Sequence, residues 1–115
     1  MCMLPKYEEK VLEHANGGKG SIILTPIAKE DILKDHCRLF SEARLKPGCS
    51  MGIHQHKGDG EIYHILSGRG LYTDNGETYE VGPGDTTWCP DGSSHGLENI
   101  GDEDLVFIAL VIYNR

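Results

Sequence analysis

At 115 residues and a formal net charge of −7, the chain has the length of one domain and lacks the clustered cations that grip a phosphate backbone, which argues against nucleic acid as a partner. No apolar run approaches the ~20 residues that cross a bilayer, and Met1–Lys10 lacks the basic-then-apolar pattern of a secretory leader. Four cysteines (Cys2, Cys37, Cys49 and Cys89) stand apart with no CxxC pair, as expected of reduced thiols in a cytoplasmic protein.

Fifteen glycines and five prolines fall between short β-prone runs, the punctuation of an all-β sandwich or barrel. In chain order, Gly20–Leu24 is the first expected strand, and Pro26–Lys34 is irregular with one helical turn around Glu30–Leu33. Strands follow at Cys37–Leu45, Cys49–His56, Glu61–Leu66, Gly70–Thr73, Glu77–Val81, Asp85–Cys89, His95–Asn99 and Leu105–Tyr113. The turn Asp74-Asn75-Gly76 is a strong hairpin signal, because Asn-Gly accepts positive φ. Leu105–Tyr113 is apolar throughout and is expected to be covered on both faces. Short strands joined by tight turns close into a barrel or double sheet, which also hides their edges.

The chemistry concentrates in Gly48–Gly68. His54 and His56 are two apart on a strand, so both imidazoles leave the same face, while Cys49, Met51 and Ile53 should pack behind them. Glu61 follows the turn Lys57–Gly60, which lets the chain reverse and return a carboxylate beside the two rings. His95 arrives from after Pro90-Asp91-Gly92. Three imidazoles and a carboxylate suit a borderline divalent ion such as Zn, Mn, Fe, Ni or Co, and in an octahedral ion they leave two positions open.

The spacing resembles the cupin superfamily, whose first motif is G, five residues, H-x-H, three or four residues, E, six residues, G. Gly48, His54, His56, Glu61 and Gly68 match it. Gly84, Pro90, Gly92, His95 and Asn99 match the second motif, G, five residues, P-x-G, two residues, H, three residues, N. The short spacer Arg69–Pro83 is similar to that of the compact microbial members. The resemblance implies a double-stranded β-helix, or jelly-roll barrel, with an N-terminal arm over about residues 1–35 and a conserved barrel over about 36–115 of a single domain. It implies His54, His56, Glu61 and His95 as metal ligands, turn roles for the glycines and Pro90, and a structural hydrogen-bonding role for Asn99.

Strand parity places Tyr63 and Ile65 beside Glu61 in the cavity and His64 outside. Parity pairs Trp88 with Thr86 against Thr87 with Cys89, but does not say which pair faces inward. Arg38, Phe40, Glu42 and Arg44 share one face of their strand, and an inward Arg38 or Arg44 could hold a carboxylate or phosphate; otherwise they pair with surface acids. Outward Met51, Ile53, Ile62 and Leu66 suggest a homodimer, with Gly20–Leu24 as a candidate added strand; a monomeric mass at micromolar concentration would count against it.

The leading expectation is a metalloenzyme using its ion as a Lewis acid on a small oxygenated molecule in the barrel: a sugar, sugar phosphate or carboxylic acid, in isomerase or lyase-like chemistry. Tyr63 or a metal-bound hydroxide is the available base. A metal-dependent dioxygenase and a non-catalytic module binding a small ligand or a metal are the alternatives, since fold alone does not fix chemistry.

Overall fold

Alternating side chains and frequent turns produce ten strands among the described residues. The computed structural model describes residues 3–115, so Cys2 lies outside the described part. The elements are β1 (Lys10–Glu13), a 3-10 turn (Ala15–Gly17), β2 (Ser21–Ala28), α1 (Glu30–Leu33), β3 (Cys37–Leu45), β4 (Ser50–Gln55), β5 (Asp59–Ser67), β6 (Gly70–Asp74), β7 (Glu77–Val81), β8 (Thr86–Cys89), β9 (Ser94–Asn99) and β10 (Leu105–Tyr113). Six strands in the order β1-β2-β3-β10-β5-β8 face four in the order β4-β9-β6-β7, an all-β jelly-roll barrel. No helix among the described residues is long and apolar enough to cross a membrane.

Where a turn residue or a clean alternation marks the chain, the expected element forms. Asn75 and Gly76 take φ of 48° and 90°, closing the β6–β7 hairpin with Asp74 opposite Glu77. The N-terminal region differs. The four residues of β1, Lys-Val-Leu-Glu, are all exposed, so no buried face betrays the strand; its ladder on β2 holds it in place. β2 also runs on through Pro26 to Ala28, because Pro26 sits at a register irregularity against β3, where its missing N–H interrupts the ladder least. With β1 on one edge and β3 on the other, Gly20–Leu24 is paired within its own chain. The expectation that it adds to a neighbour is corrected.

The core lies between the sheets and is built from Ala43 and Leu45 of β3, Tyr63 and Ile65 of β5, Tyr72 of β6, Leu97 of β9, and Leu105, Phe107 and Ala109 of β10. Leu105–Tyr113 is covered on one face only: Leu105, Phe107, Ala109 and Val111 are buried, while Val106, Ile108, Leu110 and Ile112 are half-buried. On that outer face Phe40, Leu110, Ile62 and Trp88 stand in register across four strands. Trp88 is therefore outward, 53% exposed, and Thr87 and Cys89 point inward. At the far end, Asn99 is buried and donates to the carbonyls of Leu45 and Glu103, both at 2.8 Å, while accepting from Gly101 N at 2.9 Å. Its contacts fit the structural role expected of it.

Register shifts interrupt four of the ladders, and two of them, on β4 and β3, bear on the site. On β4, Met51 opposes Leu97 and His54 opposes His95, so β4 spends one residue more than β9. On β3, Leu39 opposes Val111 and Cys37 opposes Ile112, leaving Arg38 as the extra residue. Both lie at the same end of the barrel.

Candidate metal centre

The β4 bulge sets the site. Leu97 and His95 are two apart on β9 and both face inward, so their partners Met51 and His54 must face inward too, although they are three apart. Gly52 makes the bulge fit, because a Cβ there would collide with the backbone carbonyl of Asn16, and a Cβ on Gly18 with that of Ser50. The two glycines press the 3-10 turn onto β4. This corrects the expectation that Met51 and Ile53 pack together behind the histidines: Met51 joins the interior and the cavity wall, whereas Ile53 is 63% exposed.

His54 and His56 from β4 and the turn after it, Glu61 from β5 and His95 from β9 converge. Their ligand atoms all lie within 4.8 Å of one another. Glu61 Oε1 is 3.1 Å from His56 Nε2, 3.0 Å from His95 Nε2 and 3.7 Å from His54 Nε2; His95 Nε2 is 3.1 Å from both other Nε2 atoms. Adjacent ligand atoms around an ion with bonds of about 2.1 Å at right angles are separated by about 3.0 Å.

Every ring is held from behind through Nδ1. His54 Nδ1 is 2.8 Å from the Gly52 carbonyl and His56 Nδ1 is 2.6 Å from Asp59 Oδ1. Both of these are acceptors, so Nδ1 carries the proton and each neutral ring turns an Nε2 lone pair inward. His95 Nδ1 meets the Tyr72 hydroxyl at 2.8 Å. Lone pairs and a carboxylate facing one another at such distances repel unless a cation or protons sit among them.

The electrostatics agree. Burial alone would raise Glu61, but in the metal-free site, where protons take an ion's place on the facing ring nitrogens, hydrogen bonds from His54, His56 and His95 outweigh it and hold the carboxyl well below its usual range. His56 is raised, first by its hydrogen bond to Glu61 and further by Asp59, against the opposing effect of burial. His95 is lowered because burial outweighs Glu61.

Tyr63 stacks on His95 with ring centroids 4.8 Å apart and planes 16° apart, and it is buried. Burial first and the Glu61 carboxylate next push its phenol well above the usual value. Ile65 lies deeper, in the core, and His64 is exposed, bonded to Thr86 Oγ1 at 2.8 Å. Cys89 is buried, with its thiol pushed up to about 11 by burial and Glu61, so it is a packing residue. Cys37, Cys49 and Cys89 are all unbridged. The two arginines part company: Arg44 pairs outside with Asp104 at 2.9 Å, while Arg38 binds Asp59 at 3.0 Å and lines the cavity.

That cavity, about 840 Å³, is lined by His54, His56 and Glu61 of the cluster together with Arg38 and the turn residues His14 and Asn16. Sequence reasoning missed Asp59, which stands in a Gly-Asp-Gly stretch that reads as turn chemistry, and Tyr72, whose hairpin strand carries no ligand signal. Asp59 does lie three residues after His56, and that spacing was the available clue.

The profile of the cupin domain family matches residues 41–113. An oxalate-binding protein of Thermotoga maritima is 38% identical over 101 residues, spanning 88% of this chain and 84% of that protein. A crystal structure described as a predicted oxalate decarboxylase, also from Thermotoga maritima, superposes with a TM-score of 0.91 at 35% identity, covering 94% of each chain. An oxalate decarboxylase of Bacillus subtilis is 31% identical over 71 residues, 57% of this chain but only 18% of that protein. This chain belongs to the cupin family.

Proposed function

From that membership and the site's geometry, we propose that the chain holds one divalent transition-metal ion through His54, His56, Glu61 and His95 and uses it to bind and polarise a small carboxylic acid. The observation that carries the reading is the convergence of four electron-pair donors whose ring tautomers are set by Gly52 and Asp59. The oxalate-binding relative supports a carboxylate ligand, with oxalate the first to try. When bound, a divalent ion supplies Lewis-acid polarisation of a carboxylate or carbonyl oxygen.

The chain's own residues do the rest. Asp59 and the Gly52 carbonyl hold His56 and His54 in orientation, and Tyr72 meets His95. Tyr63, buried and stacked on His95, packs behind that ligand ring, and Leu39 and Val111 give the cavity an apolar side. Binding without turnover is the second reading, favoured by the relative that binds oxalate. The oxygen-using alternative requires a redox-active ion. The apolar row Phe40, Leu110, Ile62 and Trp88 supports pairing of two copies through the outer face of the larger sheet.

The test is elemental analysis of untagged, chelator-free protein, followed by calorimetry with oxalate and assay of its consumption. One equivalent of metal and metal-dependent oxalate binding are expected, and oxalate consumption separates turnover from binding. His54→Ala with His95→Ala should abolish both metal and oxalate binding in a folded barrel. Stoichiometric metal retained in that double variant would overturn the assignment.

A further inference from the structure

We propose that the cavity takes a dicarboxylic acid longer than oxalate, one carboxylate at the metal centre and the other on Arg38. The proposal rests on the metal–carboxylate reading above and adds the class of acid.

Its first support is the β3 bulge. Under unbroken alternation Arg38 would share the outer face with Phe40 and Arg44, and Arg44 does lie there, spent on Asp104 and Glu42. As the extra residue of the bulge, Arg38 is re-aimed to the cavity wall. Only its Nε is engaged, donating to Asp59 Oδ2 at 3.0 Å. Among the described residues its two terminal amino groups have no hydrogen-bond partner, and the side chain is 52% exposed. Neutralising Asp59 uses one of five donors and leaves the paired fork that fits a carboxylate edge-on.

Asp59 also fixes where that fork stands. Its other oxygen holds His56, so a single buried carboxylate separates the guanidinium from the metal cluster, and both are positioned by the same residue. The charge balance points to an anion. Arg38 and Lys57 face Glu13, Asp59 and Glu61 around the cavity, a deficit of one that a divalent ion turns into a surplus of one. Size points to length. About 840 Å³ falls in the range of pockets that hold drug-sized ligands, more room than an acid as short as oxalate fills.

The experiment is calorimetry on metal-loaded protein with acetate, oxalate, malonate, succinate, glutarate and adipate, for the wild type, Arg38→Gln and Arg38→Lys, with metal content measured in each. A charge-assisted fork is worth about tenfold or more in affinity. One of the longer diacids should therefore bind the wild type at least about tenfold tighter than acetate. In Arg38→Gln that ratio should collapse towards one, and Arg38→Lys should recover part of it. Oxalate binding tighter than every longer diacid, or a ratio unchanged in Arg38→Gln, overturns the proposal while leaving the metal–carboxylate reading intact. If Arg38→Gln loses metal, the wild-type length series decides alone. Failure of acetate and oxalate alike to bind the metal-loaded wild type overturns the underlying reading as well.

Discussion

The two ends of the barrel are built from the same strands by opposite rules. At the closed end, Ala43 and Leu45 of β3, Ile65 of β5, and Leu105 and Phe107 of β10 point inward, every one apolar and buried, and the one register shift there, between β5 and β10, leaves Leu66 outside as the extra residue. At the open end β3 and β4 each carry a bulge, and the inward residues are Asp59, Glu61 and three histidines. A single strand shows the passage: β5 buries Asp59, Glu61, Tyr63 and Ile65 in order. Tyr63 is the seam, stacked on His95 and edge-on to Phe107 at 4.9 Å. The comparison teaches that an irregularity at the closed end leaves the apolar core intact, whereas those at the open end aim side chains at the site.

The two ends should therefore fail separately. Phe107→Ala removes a fully buried ring from the closed end and should cost about 3–5 kcal/mol of stability by denaturant titration. The variant that remains folded should still bind one metal. Loss of metal stoichiometry there would show that the ends are one cooperative unit. Asp59→Asn attacks the open end: it keeps the shape but removes the charge that orients His56 and anchors Arg38. Metal affinity should fall about 10–100-fold in a competition titration, and unchanged affinity would remove Asp59 from the centre's support.

The same contrast explains what the sequence made legible. His54, His56 and Glu61 are brought together by the local turn between them, whereas His95, which the family resemblance implied, arrives through pairing of β4 with the distant β9. Cys37–Leu45, Glu77–Val81 and Leu105–Tyr113 form as expected because alternation or a hairpin turn marks them. What stayed hidden depends on register between distant strands. Nothing near Arg38 says that β10 will oppose two of its neighbours with consecutive residues, and nothing near Gly52 says that the Asn16 carbonyl will occupy its Cβ position. Parity therefore placed Met51 on the outside and grouped Arg38 with Arg44. β1 was illegible for another reason: all four of its residues are exposed, and it exists only as a partner for β2.

The smallest expected effect concerns protons. In the metal-free protein His56 is raised above its unfolded value of 6.5. Its contribution to stability is thus fully present below 6.5 and lost as pH rises through the folded value. His95 is lowered by burial, so its contribution is present above 6.5 and lost as pH falls through the lower folded value. The two oppose, and the metal-free melting profile should be shallow around pH 6.5. Metal binding requires both rings unprotonated, so competition at His56 weakens it as pH drops through that raised value, by at most about tenfold per unit for each competing proton. Because ligand stabilisation follows the logarithm of affinity, the metal-induced rise in Tm should shrink steadily from about pH 7.5 to 5.5. Melting curves with and without metal across that range are the check. A rise independent of pH would take His56 out of the ligand set, and with it the reason for Asp59 to stand where it does.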